Sequence, residues 1–91
     1  MAEFEYDPEK SESNRDRHGI DFAEAQKLWD GPHIIIPAKN IMEESRSAIL
    51  GHIGKHVYMA VFTVRSGRFR VISCHRADKK WVKIYETSLK N

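Results

Sequence analysis

The stretch Val57–His75, VYMAVFTVRSGRFRVISCH, decides the fold of this chain. Two runs rich in valine, phenylalanine and isoleucine flank Ser66-Gly67, and such runs across a two-residue turn read as a β-hairpin. Counting outward from the turn opposes Arg65 to Arg68, Thr63 to Arg70, Val61 to Ile72 and Met59 to Cys74. The other face then opposes Val64 to Phe69, Phe62 to Val71, Ala60 to Ser73 and Tyr58 to His75. With a side-chain period of two, this register puts the arginines on one face, Ser73 and His75 on the other, and Arg76 at the strand exit. Like charges directly opposite one another destabilise a sheet. Arg65, Arg68 and Arg70 therefore require acidic neighbours, counterions or an anionic ligand.

Working outward, Gly54-Lys55 separates the hairpin from a preceding strand over Ser45–Ile53, with a loop over Lys39–Glu44 before it. The three isoleucines of His33–Pro37 predict a strand covered on both faces. Asp7-Pro8 has the order of an N-cap followed by proline at the first helical position, and Gly19 ends that helix after Arg17 or His18. This helix has almost no apolar face. Lys10, Asn14, Arg17 and His18 share one side of it, either to contact phosphates or as part of a solvated helix anchored at its ends. Asp21 to Glu24 forms a capping box that opens a short helix with Phe22, Ala25, Leu28 and Trp29 inward, closed by Asp30-Gly31-Pro32. Ala2–Tyr6 alternates as an edge strand, and Asp78–Leu89 is amphipathic, with Trp81, Tyr85 and Leu89 at helical spacing. The order β-α-α-β-β-β-β-α predicts an α+β fold, a compact antiparallel sheet with flanking helices, in which residues 1–91 make a single domain.

Composition narrows the function. At 91 residues, 41% hydrophobic and 31% charged, the chain is globular with a modest core. Its net charge is only +2, but from Lys55 to Lys83 eight cations face Asp78 alone. That is the footprint of a polyanion partner, or of solvated basic residues on a sheet edge. A single cysteine, Cys74, excludes an intramolecular disulfide framework and cannot complete a zinc-ligand pair, and the five histidines are scattered along the chain. No metal and no cofactor are expected. No apolar run has the length of a membrane span, which makes the cytoplasm the expected location.

Several segments in order resemble the BrnT family of bacterial type II toxins: FEYDPEKSESNRDRHGIDF (Phe4–Phe22), PAKN (Pro37–Asn40), ESRSAILG (Glu44–Gly51), VFTVRSGRFRVISCHRA (Val61–Ala77) and Tyr85-Glu86. The resemblance implies a RelE-like fold and a metal-independent endoribonuclease that halts translation. It also implies a BrnA-like, DNA-binding antitoxin joined to the toxin in a hetero-oligomer. Matched by position, it nominates His18, Arg46, Arg65, Ser73 and Arg76. The chain departs from the family in having Arg17 where lysine is common and His75 where a second arginine is common. It also has Trp81 where a glutamate often completes the capping box with residue 78.

Cleavage by a 2′-hydroxyl needs a base, a stabilised pentavalent phosphate and an acid for the 5′-oxygen. Arginine suits the phosphate because its planar fork matches the oxygens and keeps its charge, so Arg65 and Arg76, then Arg46, are the leading candidates. His75 and His18 are the candidate proton carriers. Arg17, Arg68, Arg70, Lys79 and Lys80 extend the RNA-binding surface. Trp81 and Tyr85 either pack on the sheet or dock the antitoxin. The alternative is a non-catalytic basic module that docks an acidic partner or RNA.

Overall fold

The computed structural model describes residues 3–38 and 44–90. Met1, Ala2, residues 39–43 and Asn91 lie outside it, and with them most of the expected loop and part of the PAKN segment. Five strands form one sheet: β1 (Phe4–Glu5), β2 (His33–Pro37), β3 (Ser47–Ile53), β4 (His56–Arg65) and β5 (Arg68–Arg76), in the spatial order β1-β5-β4-β3-β2. The helices are α1 (Pro8–His18), α2 (Phe22–Ala25, continued as a 3-10 turn over Gln26–Trp29) and α3 (Lys79–Leu89). Chain order and class are as the pattern predicts. No described helix is long and apolar enough to cross a membrane.

Three expectations need correction. The sheet is mixed rather than antiparallel, because β1 pairs parallel to β5 through Phe4 with Phe69 and Glu5 with Arg70. Two helices and three strands separate β1 from β5, so no hairpin turn imposes an antiparallel sense. β2 is an edge strand and is not covered on both faces: Ile34 and Ile36 pack inward while Ile35 is 51% exposed.

The third correction concerns the hairpin. Its register runs as counted from Arg65–Arg68 to Phe62–Val71 and then shifts by one, so that Ser73 faces Val61, Cys74 faces Ala60, His75 faces Met59 and Arg76 faces Tyr58. Ile72 is the extra residue of a β-bulge. At the turn, Ser66 and Gly67 both take positive φ (50° and 77°), the conformation of a primed hairpin turn.

The sheet is covered on both sides. Ile20, Phe22, Ala25 and Leu28 pack on Ile49, Ala60, Phe62, Val71 and Cys74. On the opposite face Tyr85 of α3, 1% exposed, fills a smaller core with Ala48, Leu50, Val57 and Met59, and its hydroxyl donates to Pro32 O at 2.8 Å.

α1 is neither a solvated rod nor packed through an apolar stripe. Asp7 caps its start and Gly19, at φ 75°, its end. Between them its only buried side chains are Ser11 and Asn14. The Asn14 amide donates to Cys74 O (2.7 Å) and Ile20 O (2.8 Å) and accepts from Cys74 N (3.2 Å). Ser11 Oγ accepts from Phe22 N at 2.9 Å.

The helix is therefore fastened by buried polar contacts, each replacing a main-chain partner that the sheet edge or α2 lacks. Asn14→Ala is expected to cost ~2–4 kcal/mol in urea denaturation, because buried main-chain groups at Cys74 and Ile20 lose their partners. A cost near zero would show that α1 is held by other contacts.

Candidate active site

The crowding of arginines at the hairpin is answered by acidic neighbours. Arg65 donates from Nε and Nη2 to Glu44 Oε1 (3.0 and 2.8 Å), and Arg46 Nη2 lies 3.6 Å from Glu44 Oε2. Arg68 pairs with Glu3 at 3.1 Å and Arg70 with Glu5 at 2.9 Å. Hydrogen bonds from Arg65 hold the Glu44 carboxyl below the usual carboxylate range. The parallel pairing of β1 along β5 explains two of these contacts, since it brings Glu3 and Glu5 alongside Arg68 and Arg70. The buried Arg46 Nε has no acceptor among the described residues, so this guanidinium keeps a free donor.

The bulge redistributes the other candidates. Through Val61 and Met59, Ser73 and His75 come into register with the side of β4 that carries Thr63 and Arg65. The uninterrupted count had placed them on the opposite side. Met59, the partner of His75, is six residues from Arg65, about 20 Å along a strand. Arg65 and His75 therefore lie on one face but at opposite ends of it. One phosphate cannot bridge them, whereas a run of several nucleotides can.

At the His75 end, α1 and β5 meet. The rings of His18 and His75 lie 5.8 Å apart between centroids. His18 is the last residue of α1 and is placed by the Gly19 cap, and His75 is placed by the bulge and by the Asn14–Cys74 bonds next to it. Desolvation pushes the His75 pKa below the ordinary histidine value. Repulsion from His18 adds to this, and Asp78 partly opposes it.

Beside the pair runs a groove of about 340 Å³ lined by Lys10, Ser13, Asn14, Arg17, His18 and Ser73, with Phe22 and Ile72 as its apolar floor. No carboxylate among the described residues lines it. Lys10, Arg17 and Arg76 form no ion pair with a described residue, in contrast to the four hairpin-side arginines. Such a groove offers unpaired cations, a serine hydroxyl and the His18 imidazole, with His75 packed behind it, to an anionic ligand.

The remaining candidates are dispersed. Arg76 turns into a separate cleft against α3. Lys79 and Lys80 open α3, where the helix dipole disfavours cations, and Lys80 Nζ sits 5.2 Å from the Trp81 ring centre. Asp78 caps α3 by accepting from Trp81 N, as the surviving half of the capping box predicts. Tyr85 is core and Trp81 is half-buried, which favours packing on the sheet over docking for the first of them. Helical spacing links Lys10, Asn14, Arg17 and His18, but nothing local in the sequence sets Ser73 or His75 against them. Among the described residues no three His, Cys, Asp or Glu side chains converge as a metal site.

No curated protein matches the chain. The family model for BrnT, the ribonuclease toxin of type II toxin–antitoxin systems, matches residues 6–80, a span that contains α1, the whole sheet beyond β1 and every residue of the groove. The chain thus belongs to the BrnT family of ribonuclease toxins.

Proposed function

We propose that this toxin cleaves RNA without a metal ion, by attack of a ribose 2′-hydroxyl on the adjacent phosphodiester, at the junction of α1 and β5. The observation that carries the reading is the His18–His75 contact beside a groove whose cations are unpaired. His75, neutral near physiological pH, accepts the 2′-hydroxyl proton, and His18 delivers a proton to the departing 5′-oxygen. The O2′–P bond forms as the P–O5′ bond breaks, leaving a 2′,3′-cyclic phosphate and a 5′-hydroxyl. Arg17 and Lys10 from α1 offset the charge that builds on the phosphoryl oxygens, Ser73 donates to one of them, and Arg76, in the neighbouring cleft, steadies the same RNA strand from there. Arg46, Arg65, Arg68 and Arg70 then guide the flanking strand along the same face, exchanging their carboxylate partners for phosphates. Lys79 and Lys80 extend the positive field.

The same basic surface suits neutralisation by a BrnA-like antitoxin within a cytoplasmic toxin–antitoxin hetero-oligomer, and we read the α+β sheet as RelE-like. Glu44 on Arg65 and Arg46 favours a second reading, in which an acidic antitoxin segment replaces it and this end of the face serves binding alone.

Purified protein should cut RNA in the presence of EDTA, and induction should stop growth. His75→Gln or His18→Gln should slow cleavage by roughly 10²–10⁴ with the fold intact by circular dichroism. Arg17→Ala should cost about a hundredfold, and Arg76→Ala less. Wild-type rates in both histidine variants would move the chemistry away from this junction, and loss of cleavage in Arg65→Ala alone would move it to the Glu44 end.

The pH dependence follows from the lowered His75 pKa. The unfolded chain binds this proton more readily than the folded one. Stability is therefore full above about 6.5 and declines as pH falls toward the depressed folded value. Urea titrations at pH 7.5 and pH 5 should show a larger acid loss for the wild type than for His75→Gln. Equal losses would contradict the burial of this imidazole.

A further inference from the structure

A second basic cleft lies on the other side of the His75–Arg76 step. It has a volume of about 240 Å³ and is built from four elements and a turn: His52 near the end of β3, Lys55 in the β3–β4 turn, His56 at the start of β4, Arg76 at the end of β5, and Glu86 on α3. The apolar wall of Val57, Ala77 and Val82 limits the water that reaches these groups. The His52 ring is braced by Tyr85, with centroids 5.5 Å apart, and Tyr85 is itself locked to Pro32 O. Neither Lys55 nor Arg76 forms an ion pair with a described residue. Imidazoles offer an N–H donor in either protonation state, so the cleft presents four donor side chains against one carboxylate.

We propose that this cleft is a second phosphodiester subsite, binding the phosphate one step along the RNA from the bond held in the His18–His75 groove. The assignment rests on the ribonuclease reading above. The geometry behind it is continuity: His75 packs against His18, which lines the groove, and Arg76, the next residue, lines the cleft. An RNA strand that crosses the end of β5 meets both. Glu86 disfavours a dianion here, so the site suits an internal phosphodiester, with one negative charge, rather than a terminal phosphate.

The test separates binding from cleavage by using a fluorescein-labelled 2′-O-methyl RNA octamer, which lacks the attacking hydroxyl. Lys55→Ala should weaken its binding about fivefold at low salt and reduce the slope of log affinity against log salt by about 0.7, the share of one phosphate contact in a single strand. Lys55→Arg should restore both, and Glu86→Gln should tighten binding. Both positions are exposed, and circular dichroism checks the fold.

Unchanged affinity and slope in Lys55→Ala, with RNA still cleaved by the wild type, would overturn the subsite and leave the ribonuclease reading standing. The expected shifts without any cleavage of unmodified RNA would support the subsite and overturn that reading. No binding of the octamer by the wild type would overturn the subsite outright.

Discussion

The hydrogen bonds between the Asn14 side chain and the main chain of Cys74 hold together the geometry on which the rest of the molecule depends. β1 is two residues long and ends opposite Arg70, so the outer edge of β5 beyond it has no strand partner. A buried N–H and C=O left open there would be costly. The amide of Asn14 supplies a donor and an acceptor at one position, as a neighbouring strand would. In doing so it fixes α1 against the sheet, although that helix has almost nothing apolar to bury. His18, one turn further along α1, and His75, next to Cys74, are brought together by this attachment.

Charge is divided along the same face. Near the hairpin turn, Arg65, Arg46, Arg68 and Arg70 are each matched by a carboxylate from elsewhere in the chain. The Arg68–Glu3 pair is solvent-exposed and the others keep partial exposure, so they contribute little stability and a phosphate backbone can displace them at small cost. At the other end, Lys10, Arg17, Lys55 and Arg76 are left without such partners among the described residues and line two clefts on either side of His75–Arg76. The unpaired positive charge is thus concentrated at the end where the imidazoles sit.

The β-bulge links these two features. One unpaired residue, Ile72, moves Cys74 into the core beside Ala60 and Phe62 and turns His75 and Ser73 to the side of Thr63 and Arg65. It also turns the Cys74 main chain toward Asn14. A regular strand would leave His75 opposite Tyr58. Bulges commonly re-aim side chains next to active sites in this way.

Much was legible from the sequence, because local signals dominate there. Asp7-Pro8 and Gly19 bound α1, Asp21 and Asp78 cap their helices, Ser66-Gly67 makes the turn, and the order of elements follows from periodicity. The residues of the BrnT resemblance were likewise readable in order, and the family match covers them from Tyr6 to Lys80. Tertiary structure alone decided the parallel sense of β1, the one-residue shift at Ile72, the pairing of the hairpin arginines with Glu44, Glu3 and Glu5, and the meeting of His18 with His75. Caps, turns and periodicity are set by residues a few positions apart. Register, charge pairing and the buried role of Asn14 depend on groups 20 to 65 positions distant, whose encounter only the packed sheet determines.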